Sequence, residues 1–176
     1  MKIFMGLGAL VILVLIIALF VKKDYAVFRE VTINKPKQEV FDYVKMLKNQ
    51  DNYSKWALMD PNSKKTYKGT DGTAGFMSAW DSEVKDLGKG EQEITGLTEG
   101  ARIDYNLHFI KPMENRAKAA MTTETAGDNQ TKVTWTFSGN MAYPMNFMLL
   151  FLNMDKLLGK DLETGLDNLK VIMEKK

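Results

Sequence analysis

The chain has 176 residues, enough for one domain with a substantial core, and it has no cysteine, which excludes disulfides and thiol chemistry. Its single histidine leaves a zinc site short of ligands and a Ser–His–acid triad with one candidate base. The formal charge of +2 overstates any basic character. Setting aside Lys2, Lys22 and Lys23 leaves 21 basic residues against 22 acidic ones, so no electrostatic footprint for nucleic acid is expected.

The first segment, "IFMGLGALVILVLIIALFV" (Ile3 to Val21), is uncharged and rich in branched apolar residues. As a helix it would be about 28 Å long, near the hydrocarbon thickness of a bilayer. No small-residue cleavage pattern follows it, only Lys22 and Lys23. The expectation is an uncleaved single-pass transmembrane anchor over residues 1–23. The membrane would be a partner through that helix, and the domain over residues 24–176 would lie on the cytoplasmic side because the basic residues follow the span.

Beyond it, "YAVFREVTIN" (Tyr25 to Asn34) reads as a strand of β-branched and aromatic residues. Asn34 is a candidate helix cap and Pro36 suits a first turn, with Val40, Phe41, Val44 and Leu47 at helical spacing. A turn-rich stretch follows, with one helical turn expected around Tyr53 to Trp56. Six further strands are predicted at 65–69, 74–83, 88–97, 102–110, 116–125 and 132–141. Short Gly-, Asp- and Asn-bearing breaks separate them and imply an antiparallel meander. From Pro144 onward the pattern predicts a long helix to the C-terminus, interrupted by Gly159 and Gly165. The fold class is therefore α+β. A seven-stranded curved antiparallel sheet is expected to wrap around a long C-terminal helix, with two short helices after the first strand.

Period-two alternation sorts the strand side chains by face. Ile103, Tyr105, Leu107 and Phe109 fall together, as do Val133, Trp135 and Phe137; Phe76, Ser78 and Trp80; and Ala117, Ala119 and Met121. Gln92 and Ile94 oppose Glu91 and Glu93, and His108 falls on the charged face. Two readings of the inward surface stay open, a filled core or an elongated cavity. The small residues Ser78, Ala117, Ala119, Gly159 and Gly165 would either admit close approach or leave space. Met141, Met145, Met148 and Met154 cluster at the helix entry, where flexible thioethers suit either an adaptable apolar mouth or loose packing. No catalytic constellation, metal cluster or phosphate-cradling glycine motif is read in the chain, and no cofactor is expected.

"VTINKPKQEVFDYVKMLKNQDNYSKW", "GKGEQEITGL", "RIDYNLHFIKP" and "TKVTWTFSGNM" together resemble the START-like (SRPBCC) superfamily of helix-grip proteins, in its polyketide cyclase/dehydrase-like branch. The resemblance covers the chain from about Ala26 onward. It implies a hydrophobic cavity between the sheet and the last helix, with Trp56 near the entrance and Trp80, Tyr105 and Trp135 on the sheet interior. The expected ligand-binding set is Trp56, Phe76, Trp80, Gln92, Tyr105, Leu107, Phe109, Met121, Trp135, Phe137, Met154 and Leu158. A small hydrophobic ligand, lipid or polyketide-like, is the expected partner. The alternatives are a protein-interaction module with a filled core and a cyclase- or dehydratase-type enzyme.

Overall fold

The expected alternation produces the expected sheet. In a computed structural model that describes residues 2–175, strand β1 (Asp24–Ile33) is followed by β2 (Lys64–Lys68), β3 (Met77–Asp81), β4 (Lys89–Thr98), β5 (Arg102–Lys111), β6 (Asn115–Gly127) and β7 (Gln130–Asn140). They form one antiparallel sheet in the order β1-β7-β6-β5-β4-β3-β2. β1 closes onto β7 from Asp24 opposite Asn140 to Ile33 opposite Thr131. Helix α4 (Met154–Lys175) lies along the inner face and buries Leu162, Leu166, Leu169 and Met173. This is the helix-grip architecture.

Local chemistry sets the element ends and corrects two of the expected ones. Helix α2 (Lys37–Val44) begins after Pro36, and Asn34 does not cap it. Asn34 sits too far upstream. Its Nδ2 donates to Glu174 Oε1 at 2.8 Å and its Oδ1 accepts from Gln130 Nε2 at 2.8 Å, fastening β1 to the far end of α4 and to β7. The long C-terminal helix does not run on from the apolar stretch either. Met145–Leu150 is a separate 3₁₀ turn, and α4 starts afresh where Asn153 Oδ1 accepts the Lys156 N–H at 3.0 Å.

Between α2 and β2 the chain forms a 3₁₀ turn (Leu47–Asn52) and a short helix α3 (Lys55–Met59). The Asp71 carboxylate from the β2–β3 loop accepts the Leu47 N–H at 2.7 Å and the Lys48 N–H at 3.2 Å. Asn168 Nδ2 donates to the Tyr53 carbonyl at 3.1 Å, and Lys55 pairs with Asp161, so this segment is tied down on α4 as a cover over one end of the sheet.

The N-terminal segment is helical, α1 (Lys2–Phe20). Among the described residues, however, no helix is long and apolar enough to cross a membrane. That finding overturns the single-pass membrane localisation expected above. The end of α1 belongs to the fold instead. Ala18 is fully buried, and the buried Asn146 donates from Nδ2 to the carbonyls of Ala18 at 2.7 Å and Val21 at 2.9 Å.

Candidate functional site

The inward side chains form successive layers across the sheet, because antiparallel register puts like-facing residues side by side. The deepest layers are filled. Ile103 stands opposite Met121, and Met121 opposite Trp135; next come Ile94 opposite Tyr105 and Tyr105 opposite Ala119. Ile94, Ile103, Tyr105, Met121 and Phe76 are all at 1% exposure or less. Toward the β3–β4 and β5–β6 loops the filling stops. Ser78 faces Gln92, Gln92 faces Leu107, and Leu107 faces Ala117; one layer further out, Trp80 lies over Gly90, which faces Phe109.

Here the sheet, α3 and α4 enclose a cavity of about 390 Å³. That lies at the lower end of the usual range for small-molecule sites, about 300–1,000 Å³. Its walls are aromatic. Trp56 meets Trp135 edge-on with ring centroids 6.1 Å apart, Tyr53 supports Trp135 at 5.9 Å, and Trp80 stands edge-on to Phe109 at 6.1 Å. All three tryptophans of the chain line this one space. The rim carries Asp86 and Leu87 from the β3–β4 loop, Lys111 from the end of β5, and Pro112 and Met113 from the β5–β6 loop, with Lys65 paired to Asp51 at 2.6 Å.

Of the expected set, Trp56, Trp80, Gln92, Leu107, Phe109, Trp135, Phe137 and Leu158 line the cavity. Phe76, Tyr105 and Met121 lie behind it in the packed core. Met154, one turn before Leu158 on α4, is turned instead to the space beside Tyr25 and Leu149–Asn153. The methionine-rich mouth is also misplaced, since Met145 and Met148 are exposed near α1 while the methionine at the rim is Met113. Residues missed in the sequence include Gln50, Ser54 and Lys65. Gln50 and Ser54 come from the turn-rich cover, where no periodicity predicts a facing direction. Lys65 carried a signal, since alternation along β2 sets it on the Trp80 side of the ladder.

The two helix glycines serve approach rather than space. A Cβ on Gly165 would sit 2.8 Å from Trp135 Cζ3, and one on Gly159 would collide with the Arg29 guanidinium. Arg29 crosses the helix there to hold Asp155 with two bonds, at 2.8 and 2.9 Å. That hydrogen bond keeps the Asp155 carboxyl below its ordinary range. The small residues that do leave room are on the sheet, at Ser78 and Ala119.

Burial pushes the phenols of Tyr53 and Tyr105 well above their ordinary range, and pushes that of Tyr67 up to about 12 with help from the neighbouring Asp51 carboxylate. These groups stay neutral and offer no base near neutrality. A wider depression of about 690 Å³ on the opposite face of the sheet carries Glu91, Glu93, His108, Arg116 and Lys118. His108 bridges Glu91 and Glu114 there at 3.3 and 3.1 Å. It is an open, charged surface.

A sheet gripping a helix around an aromatic cavity defines the helix-grip class. Residues 26–174 match the family model described as polyketide cyclase/dehydrase and lipid transport, and the chain belongs to that family. Solved structures share the fold at low identity. A protein from Nitrosospira multiformis is 15% identical over 85% of this chain and 96% of its own, with a TM-score of 0.60. Ara h 8.0201 is 13% identical over 87% and 99%, with a TM-score of 0.61. DynU16, from the dynemicin biosynthetic locus, is 15% identical over 85% of this chain and 47% of its own, with a TM-score of 0.56. No curated protein sequence matches the chain.

Proposed function

We propose that the protein binds a small hydrophobic ligand in the cavity between the sheet and α4. The observation that carries this reading is the cavity itself. An interior lined by Trp56, Trp80, Phe109, Trp135 and Phe137 stands unfilled although the layers behind it are fully packed. Empty apolar surface of that kind costs stability, and a ligand that fills it recovers the lost contacts. Membership in a family described by polyketide cyclisation and lipid transport agrees with an apolar ligand. The cavity weighs against a filled-core interaction module. For a cyclase or dehydratase, the rim pair Asp51–Lys65 is the nearest acid–base combination, and it is engaged in its own ion pair.

Native mass spectrometry on the full chain tests the reading. A discrete added mass that is lost on organic extraction, or saturable tryptophan quenching by added apolar compounds, is the expected result. An unliganded mass, together with unchanged tryptophan emission across such compounds, would remove it.

A further inference from the structure

We propose that Ser78 and Gln92, faced by Gln50 from the cover, form a hydrogen-bonding strip that selects a compact, ring-bearing ligand with a carbonyl or hydroxyl on its edge. The inference rests on the ligand-binding reading above and names the chemistry of the ligand. Ser78 and Gln92 are direct cross-strand partners on β3 and β4, and both line the cavity. The layers on either side of them are apolar: Trp80, Gly90 and Phe109 toward the rim, and Phe76, Ile94 and Tyr105 toward the core. One hydroxyl and one amide are thus set side by side between aromatic walls.

Among the described residues neither side chain has a hydrogen-bond partner, although both are half-buried. Gln50 is 7% exposed and lines the same cavity, and its amide stands beside the buried Tyr105 hydroxyl with neither Nε2 nor that hydroxyl in a hydrogen bond of good geometry. Buried donors and acceptors are nearly always paired in folded proteins, so the buried Gln50 amide, set across the cavity from two half-buried groups that bond to no other part of the chain, marks where a ligand's polar atoms belong. A pure hydrocarbon would shut water out and leave them unmatched. A carbonyl can accept from the Gln92 amide and the Ser78 hydroxyl, and a hydroxyl can serve both donors and acceptors.

Ligand length follows from the packing. From Phe109 at the rim to Tyr105 at the floor is four strand residues, a depth of roughly 13 Å. The floor is closed by Phe76, Ile94 and Tyr105. An extended long acyl chain has nowhere to continue, whereas a molecule of a few fused rings fits against the tryptophans.

The test uses the full-length protein with fluorene and fluorenone, which share a carbon skeleton and differ by one carbonyl. Calorimetry and quenching of the three cavity tryptophans report binding. Fluorenone is expected to bind about tenfold tighter or more, the worth of one good hydrogen bond. Gln92→Leu should bring the two affinities together by weakening fluorenone and strengthening fluorene, and Ser78→Ala should do so in part. Equal binding of both compounds to the unaltered protein, or a preference that survives both substitutions, overturns the strip while leaving the cavity reading in place. No binding of either compound overturns both. Circular dichroism and thermal unfolding check each variant. If Gln92→Leu fails to fold, Ser78→Ala with the ligand pair decides alone.

Discussion

The two ends of the space between sheet and helix are built from the same alternating strands and come out differently. At one end Ile103, Met121, Val133, Leu162, Leu166 and Leu169 close on each other without a gap. At the other, Ser78, Gln92, Leu107 and Ala119 stand around an opening. Side-chain size and the nature of the cover decide between them. Where the two ends meet, Gly165 lets α4 come down onto Trp135 beside the Tyr53–Ser54 backbone. At the open end the roof is α3 and the 3₁₀ turn, held on α4 by Lys55, Asp161 and Asn168 and unable to drop further. Packing a sheet against a helix is therefore not one event along its length, and a cavity persists where the small residues are on the sheet and the roof is pinned.

The sharpest way to break the contrast is to open the closed end. Leu166→Ala there should cost about 2–5 kcal/mol in denaturant unfolding, the range for emptying a tightly packed core position. A loss below 1 kcal/mol would show that this end is loose as well. Gly165→Ala attacks the approach itself. Its methyl meets the Trp135 ring, held on its other sides by Tyr53 and Trp56, so overpacking of about 1–3 kcal/mol opposes a gain of about 1 kcal/mol in helix propensity. A net loss of about 1 kcal/mol with shifted tryptophan emission is expected, and a more stable variant would contradict the close contact.

Filling the open end should do the reverse. Ala119→Leu places a larger side chain into existing space, so unfolding should change by less than about 1 kcal/mol while quenching by apolar ligands is lost. Retained ligand binding would argue against the cavity as the site. The smallest effect is expected at the floor. The buried Tyr105 hydroxyl stands beside the Gln50 amide without a hydrogen bond of good geometry, so Tyr105→Phe should leave stability within about 1 kcal/mol at neutral pH. Its signature lies in alkali. The folded phenols of Tyr53, Tyr67 and Tyr105 are raised above the ordinary 10. The unfolded chain therefore loses protons first, and stability is full below pH 10 and falls as pH rises beyond it. Tyr105→Phe should soften that fall in urea titrations followed across the alkaline range; an unchanged slope would mean that Tyr105 ionises freely in the fold.

Strand order and facing direction were legible because period-two alternation is a local signal, and all six inward residues among Trp80, Gln92, Leu107, Phe109, Trp135 and Phe137 follow it onto the cavity. Alternation could not separate Tyr105 and Met121, which face the same way and end up as core, from Leu107, which borders the opening. That distinction depends on how far α4 and the cover descend. The bulge at Thr95 was also hidden. It shifts the register between Ile94 and Gly96 and turns Leu97 inward opposite Ile103, where strict alternation points it out. Asn34 and Asn153 illustrate the same limit at helix ends. Both have capping chemistry, and only tertiary partners decide that Asn153 caps while Asn34 binds Glu174 and Gln130.

Asn146 has a practical consequence for anyone who shortens this protein. A chain begun at Asp24 removes both carbonyls, of Ala18 and Val21, to which the Asn146 amide donates, together with the helix end that helps to bury it. The other atom of that amide, Oδ1, is already without a partner. Trimming the leading helix is thus not the removal of a loose tag. It strips hydrogen bonds from the turn that hands the chain from the sheet to α4, and a trimmed version would owe its altered behaviour to that turn before anything else.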